Sequence, residues 1–224
     1  GTEVDSDSLG DGLLEHNRAY LSWLDSIFEK YPNLVIENCG SGGLRMDYAM
    51  LSRHSIQSSS DQTDYIKNAC IAASSVTAVN PEQCAIWSYP MSGQDKEITV
   101  MNMVNAMLLR IHQSGHLGNL PKEQFEFVRE GIEVYKQIRD DIKSATPFWL
   151  TGLPQFSDDW FTFGLNCGTH AYLAVWRIGG EETLNMQLTK ELEKFTSAEL
   201  IYPGFSDDKA MIYSNKTITA KLRN

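Results

Sequence analysis

Two aspartates lie three residues apart, directly after a serine-rich strand candidate. The strand candidate covers residues 55–58, and Asp61 and Asp64 follow it. A carboxyl group at the end of a strand, in a partly apolar pocket, can keep its proton and act as a general acid. The spacing would place both carboxylates on one face of an opening helical turn. The structural alternative is that Asp61 caps a helix and Asp64 lies in its first turn.

A glycine-rich run follows the end of another predicted strand. Gly40-Ser41-Gly42-Gly43 comes directly after Glu37-Asn38-Cys39. Gly42 and Gly43 let the backbone approach a ligand closely and offer N–H donors where a side chain would clash. That property suits a sugar ring, which is rich in hydroxyl groups. The structural alternative is a strand-to-helix turn that requires positive φ angles.

Predicted strands and helices alternate over the first 145 residues. The strands lie at residues 34–36, 55–58, 85–89 and 109–112, and the helices at 12–31, 65–79, 98–108 and 122–143. This alternation predicts βαβ units and a parallel sheet. Four strands and four helices make about half of a (β/α)8 barrel. Barrel active sites lie at the carboxyl ends of the strands, so both segments above are expected to line one pocket.

The pattern changes after residue 146 to short β-rich stretches separated by turns. These stretches lie at residues 160–164, 169–178, 184–188 and 218–222. We therefore predict an α/β chain in which residues 1–150 form the second half of a (β/α)8 barrel and residues 151–224 a small antiparallel β-sandwich. A half barrel would leave unpaired strand edges. The chain is thus expected to need an N-terminal part and to form homo-oligomers.

Composition excludes several classes of partner. The formal net charge of −10 over 224 residues argues against nucleic acid, and no apolar run approaches the roughly 20 residues that cross a membrane. Four scattered cysteines without a CxxC pair indicate reduced thiols in a cytoplasmic protein. His112 and His116 have the spacing of helical zinc ligands, but Gly115 and the strand-like flank argue against a helix. We predict no metal and no organic cofactor.

The two polar segments together resemble glycoside hydrolase family 36. That family carries a cysteine, a glycine-rich run, an arginine and an aspartate after barrel strand five, and Ser-Asp-x-Thr-Asp after strand six. Residues 39–47 and 60–64 match these motifs in order and with a fitting separation. Residues 114–117 and 132–139 resemble the end of the family's barrel, and the β-rich tail resembles its C-terminal sandwich. The resemblance spans essentially the whole chain.

The resemblance implies a retaining α-galactosidase that acts on melibiose or raffinose-type substrates. It implies Asp61 as the catalytic acid/base, and Cys39, Gly42 and Gly43 as contacts to galactose hydroxyls. Ser58 is a further candidate for substrate contact, at the position three residues before the acid/base where the family often has an aromatic residue. The resemblance also implies that two loop residues, Arg45 and Asp47, brace the loop, for which an ion pair is one arrangement; direct contact with substrate is the alternative. Among the tryptophans, Trp87 is the best candidate for a sugar platform because it lies near a strand end.

The sequence also departs from the family pattern. Gly40-Ser41 reverses the commoner order, and Leu44 replaces a frequent glycine. The family's nucleophile is an aspartate in a Lys-x-Asp motif, and nothing resembling that motif precedes residue 34. The nucleophile is therefore expected outside these residues. Two alternatives stay open: an α-galactosyl transferase of the same superfamily, and a carbohydrate-binding remnant without turnover.

Overall fold

The chain is an α/β protein with one parallel and two antiparallel sheets. The computed structural model describes residues 6–204 and 209–222. The parallel sheet has the order β1 (Glu37–Asn38), β2 (Ile56–Ser58), β3 (Cys84–Ser88) and β4 (Arg110–Gln113). The helices that accompany it are α1 (Asp11–Lys30), α2 (Tyr48–Leu51), α3 (Tyr65–Ser75), α4 (Lys96–Met107) and α5 (Lys122–Ile142). The parallel sheet predicted from the alternation of strands and helices is confirmed.

The first predicted strand was wrong by three residues. The apolar stretch at 34–36 does not pair, and β1 consists of Glu37–Asn38, which pairs in parallel with β2. Leu34 and Val35 remain 44% and 57% exposed. An apolar run predicts a buried strand only where neighbouring elements cover it, and within the described residues β1 is an edge strand.

The parallel sheet is strongly curled. Glu37 lies on β1 and His112 on β4, at opposite edges of the sheet. In a flat sheet three strand spacings of about 4.8 Å would separate these edges by roughly 14 Å. Side chains stand roughly perpendicular to a sheet, so those of a flat sheet would stay about as far apart as its edges. Instead, the Nδ1 atom of His112 lies 3.7 Å from the Oε1 atom of Glu37. The sheet therefore bends so that its two edges approach each other over one concave face.

Helix α4 is the centre of the helical layer. It lies against β3 and β4 and between α3 and α5, so residues all around it are buried. One of these, Asn105, donates from Nδ2 to the backbone oxygen of Tyr65 and accepts at Oδ1 from the Trp176 indole, both at 2.9 Å. A single buried amide thereby connects the start of α3, helix α4 and the antiparallel part of the chain.

The antiparallel part consists of two three-stranded sheets. One has the order β5 (Thr146–Phe148), β6 (Trp160–Asn166) and β7 (Ala171–Arg177). The other has the order β8 (Thr183–Gln187), β10 (Thr217–Leu222) and β9 (Lys209–Ser214). Apolar residues of β6 and β7, including Phe161 and Trp176, belong to the same core as α3, α4 and α5. The sheet of β5, β6 and β7 thus extends the core of the helical layer.

Candidate active site

The loop after β1 is fastened to the sheet by a buried asparagine. Asn38 is 3% exposed and its Nδ2 donates to the Arg45 backbone oxygen at 2.8 Å and to Gln57 Oε1 at 2.6 Å. These bonds close the loop back onto β1 and β2. Asp47 then caps α2 by accepting from the backbone N–H of Met50 at 3.0 Å. The predicted ion pair of Arg45 with Asp47 was wrong, because no carboxylate of the described residues lies within ion-pair distance of Arg45.

The glycines of this loop have the backbone conformation that favours glycine. Gly42 and Gly43 have φ angles of +91° and +89°, and Ser41 before them has a φ of 50°. A side chain at either glycine would be strained, because L residues rarely adopt this region. The backbone N–H of Met46 donates to the Gly43 oxygen at 3.1 Å and closes the turn. The turn geometry alone therefore requires glycine here, as the structural alternative predicted.

The second loop, between β2 and α3, is held by its own polar side chains. Ser59 Oγ donates to the backbone oxygen of Ala85 at 2.8 Å. Ser60 Oγ accepts from the Gln62 N–H at 3.1 Å, and Gln62 Oε1 accepts from the Asp64 N–H at 3.0 Å. Each serine or glutamine thus fixes a neighbouring piece of backbone, which is the usual work of such residues in turns.

Asp61 and Asp64 play different structural parts. Asp64 is the N-cap of α3, because its Oδ1 accepts from the N–H groups of Ile66 and Lys67 at 3.0 and 3.1 Å. Asp61 lies three residues before the cap in a segment that is neither helix nor strand. The helical turn shared by the two carboxylates was therefore a wrong prediction, and so was capping by Asp61. The Asp61 side chain is exposed, and none of the described residues hydrogen-bonds it.

The two predicted loops lie side by side. A Cβ atom placed on Gly42 would lie 3.8 Å from the Cα of Ser60, and one on Gly43 would lie 3.5 Å from the Ser59 backbone oxygen. The glycine-rich turn thus contacts the two residues that precede Asp61. In a parallel sheet the carboxyl ends of neighbouring strands lie at the same end of the sheet. The segments that follow β1 and β2, about 20 residues apart in sequence, therefore meet.

An aromatic wall, formed by Trp87, Tyr89 and His112, lies beside these loops. Trp87 and Tyr89, at the end of β3, stack with ring centroids 6.1 Å apart, and His112 meets Trp87 edge-on at 5.0 Å. Burial raises the pKa of Tyr89, and the negative charge of Asp61 raises it further. Asp61 therefore lies near this wall. Sequence reasoning named Trp87 but missed Tyr89 and His112, whose places depend on the curl of the sheet.

Two polar atoms of this face are buried without a partner in the described part of the chain. They are the Nε1 of Trp87 and the Oγ of Ser58, and Ser58 as a whole is 1% exposed. Ser58 pairs with Ala85, and side chains alternate along a strand, so Ser58 and Trp87 lie on one face of the sheet. Asn68 holds the strand in place by donating to the Trp87 backbone oxygen at 3.0 Å.

Cys39 lies at the start of the glycine-rich loop as an exposed free thiol. Cys70, Cys84 and Cys167 are also free. His112 faces Glu37 across the concave face, whereas His116 is exposed in the loop that follows β4. The two histidines therefore have separate surroundings. Within the described residues, the one group of three potential metal ligands is Asp141, Cys167 and His170, which belong to other elements.

Comparison with known proteins identifies the family. The sequence profile of the Melibiase family matches residues 15–145, over half of the chain. The chain belongs to the Melibiase family. The matched range covers α1, the parallel sheet and the helices up to α5, and so includes both loops of the candidate site. A comparison with curated proteins found no match.

Solved structures of α-galactosidases share the fold. A variant of the GH36 α-galactosidase AgaA from Geobacillus stearothermophilus, in complex with raffinose, matches 74% of this chain and 24% of its own, with 18% identity and a TM-score of 0.65. The galactosidase domain of the α-galactosidase–sucrose kinase AgaSK matches 89% of this chain and 30% of its own, with 18% identity and a TM-score of 0.65. The α-galactosidase from Lactobacillus brevis matches with 12% identity and a TM-score of 0.57.

The chain spans only part of these relatives. It covers 24%, 30% and 26% of the three matched chains. Identities this low indicate a common fold, and the family profile ties that fold to the melibiases. Among the helices of the described residues, none is both long and apolar enough to cross a membrane.

Proposed function

We propose that this chain forms the acid/base side of the active site of a retaining α-galactosidase. The observation that carries the proposal is the contact of Gly42 and Gly43 with Ser60 and Ser59, directly before Asp61. One loop exposes backbone close to a ligand, and the other presents a carboxylate that no described residue engages. The raffinose complex of the structural relative AgaA supports an α-galactoside as the substrate class.

The curled parallel sheet supports an active site inside a barrel. The approach of Glu37 and His112 over the concave face supports a sheet curved as in one half of a (β/α)8 barrel. The predicted boundary at residue 150 falls too late, because β5 already pairs with β6. We propose that the residues up to 145 belong to this half and that the antiparallel part, from β5 onward, is the sandwich domain that follows it. The concave face then becomes the barrel interior, with the carboxyl ends of its strands forming the pocket.

The residues of the pocket divide the work of binding. The backbone at Gly42 and Gly43 and the thiol of Cys39 contact galactose hydroxyls. Trp87 offers its ring as a platform for the sugar. The buried hydroxyl of Ser58 hydrogen-bonds substrate or an ordered water, which would satisfy an atom that has no protein partner among the described residues.

The reaction is a double displacement. Asp61 gives its proton to the glycosidic oxygen while a second carboxylate attacks the anomeric carbon. The C1–O bond breaks, the leaving alcohol departs with the proton, and a galactosyl ester forms. Asp61 then takes a proton from water, whose oxygen attacks C1 and breaks the ester. Galactose leaves with its α configuration retained, and no metal or organic cofactor is required.

The nucleophile is proposed to come from a segment outside these 224 residues. A retaining mechanism needs two carboxyl groups about 5–5.5 Å apart. Asp64 is already bound to the first N–H groups of α3, and Glu37 faces His112. A carboxylate from the other half of the barrel would approach Asp61 across the concave face.

The test is a pair of matched substitutions in the enzyme that joins these residues to the nucleophile-bearing segment. Asp61→Asn should lower kcat on raffinose by about 10²–10⁴-fold, the usual contribution of general acid catalysis. An aryl galactoside with a good leaving group should keep most of the first step. The control is Asp64→Asn, which should keep wild-type turnover because asparagine also caps helices well.

The same experiment separates the alternatives. Near wild-type turnover of Asp61→Asn on raffinose, or an equal loss in Asp64→Asn, would contradict the assignment. Galactose binding without any turnover by the unchanged enzyme would indicate a carbohydrate-binding remnant. Oligosaccharide products that replace free galactose when an acceptor sugar is added would indicate a transferase.

A further inference from the structure

A second polar cluster lies at the other end of the parallel sheet. Helix α5 starts beyond the carboxyl end of β4 and runs back beside α4, so Asp141 in its last turn lies away from Asp61. Cys167 and His170 belong to the tight turn between β6 and β7. The thiol, imidazole and carboxylate ligand atoms all lie within 4.8 Å of one another.

The three ligand atoms are close enough together for one metal ion to bind between them after small side-chain shifts. The Nε2 of His170 lies 3.1 Å from the Oδ2 of Asp141. Ligands of a tetrahedral zinc ion, at about 2.0–2.3 Å from the metal, lie roughly 3.3–3.8 Å from each other. Cys167 and His170 are separated by two residues on one turn, so both side chains can reach the same ion.

The surrounding hydrogen bonds orient the three groups. The Nδ1 of His170 lies 3.1 Å from the Oγ1 of Thr169, which leaves Nε2 facing Asp141. The hydroxyl of Tyr172 donates to Asp141 Oδ2 at 2.8 Å. Metal-binding histidines and carboxylates are usually held by such outer partners. The turn is itself fixed, because the Cys167 N–H donates to the His170 backbone oxygen at 2.9 Å.

The cluster is open to solvent. The side chains of His170 and Asp141 are 46% and 39% exposed, so an ion can reach them from solvent.

We propose that Asp141, Cys167 and His170 bind a zinc ion, with water as the fourth ligand. The thiolate sulfur, one imidazole nitrogen and one carboxylate oxygen are a ligand set that suits zinc better than magnesium or calcium. The ion would connect the end of α5 to the β6–β7 turn. The ion would hold the helical layer against the antiparallel sheet, and this role does not depend on the proposed glycosidase chemistry.

The test is a metal titration of the purified chain after chelator treatment. Cobalt(II), as a spectroscopic substitute for zinc, should give one equivalent of tetrahedral d–d absorption with a sulfur-to-cobalt charge-transfer band. Calorimetry with zinc should give the same stoichiometry. Cys167→Ser and His170→Gln should abolish the charge-transfer band and weaken zinc binding by more than about 100-fold, and Tyr172→Phe should weaken it by about 10–100-fold.

Matched controls make the result decisive. Cys39→Ser and His116→Gln remove an exposed thiol and an exposed imidazole elsewhere, and both should bind zinc as the unchanged chain does. Circular dichroism of the metal-free variants checks that each is folded. Absence of a cobalt spectrum in the folded chain, or an unchanged spectrum in Cys167→Ser, would overturn the proposal. In that case Asp141 is only a hydrogen-bond acceptor that joins the turn to α5.

Discussion

Asp61 and Asp64 are the same residue type three positions apart, yet the fold gives them different surroundings. Asp64 accepts two backbone N–H groups, whereas the Asp61 carboxylate is exposed and lies near Tyr89. The carboxylate of a helix cap is already hydrogen-bonded to backbone N–H groups, whereas a general acid must be able to reach the substrate. The structure thus leaves Asp61, unlike Asp64, available to a ligand, as its proposed role in proton transfer requires.

The capping role predicts a difference in stability. Asp64→Ala should lower the free energy of unfolding by about 1 kcal/mol, because the first N–H groups of α3 lose their acceptor. Asp61→Ala should change it by less than about 0.5 kcal/mol, as expected for an exposed residue without such contacts. Urea unfolding followed by circular dichroism measures both values. Equal losses in the two variants would show that Asp61 shares the cap.

At the level of elements, α4 packs against α3, α5 and the parallel sheet. Its buried Asn105 is a polar residue at a position where an apolar one would normally be expected. The amide satisfies the Tyr65 backbone oxygen and the Trp176 indole N–H together. Leaving either group buried without a partner costs about 1–3 kcal/mol.

Replacement of Asn105 should therefore destabilise the chain as a whole. Asn105→Leu is expected to lower the free energy of unfolding by about 2–4 kcal/mol, because it leaves one buried donor and one buried acceptor without a partner. The exposed Asn119 provides the control, and Asn119→Leu should have little effect. Urea unfolding and the near-ultraviolet signal of Trp176 report the change. A nearly unchanged unfolding midpoint for Asn105→Leu would contradict the bridging role.

The burial of His112 on β4 predicts a dependence of stability on pH. Burial lowers the pKa of His112; the Glu37 carboxylate opposes this effect, and Arg110 adds to it. The neutral form of His112 is therefore favoured more in the folded chain than in the unfolded chain. This stabilisation is present above the ordinary histidine pKa of about 6.5 and is lost as the pH falls through the lowered folded value.

Unfolding midpoints at pH 7.5 and 5.5 measure this effect. The unchanged chain should unfold at lower urea concentration at pH 5.5, and His112→Gln should show a smaller difference between the two values. His116→Gln, at an exposed histidine, should keep the difference of the unchanged chain. An identical pH dependence in His112→Gln would contradict the burial of a neutral imidazole.

At the level of the whole molecule, the sequence predicted the features that depend on the local spacing of apolar residues. It predicted the alternation of strands and helices and located the glycine-rich and Asp61 segments. It missed β5 and β9, whose short, mixed sequences become strands through pairing with β6 and β10. Tyr89, His112 and the Asp141 cluster could not be predicted either. Their neighbours come from distant parts of the chain, and the curvature of a sheet leaves no periodic pattern in the sequence.

The edges of the parallel sheet predict how residues 1–224 behave alone. Within the described residues β1 has no partner on its outer side, and Leu13, Leu14 and Trp23 of α1 are 51%, 47% and 55% exposed. An unpaired edge beside apolar side chains promotes association. Size-exclusion chromatography with light scattering should show dimers or larger species. A stable monomer that hydrolyses p-nitrophenyl α-galactoside would contradict both the open edge and the external nucleophile.

The central claim is that Asp61 is the acid/base and that a different carboxylate is the nucleophile. The most direct test is the configuration of the product that Asp61→Asn forms from an aryl α-galactoside in the presence of azide, in the enzyme that contains both halves of the pocket. Azide needs no general base and should displace the galactosyl ester, giving α-galactosyl azide after two inversions. The rate should rise with azide concentration. If β-galactosyl azide forms instead, azide has attacked the substrate directly, and Asp61 is the nucleophile rather than the acid/base.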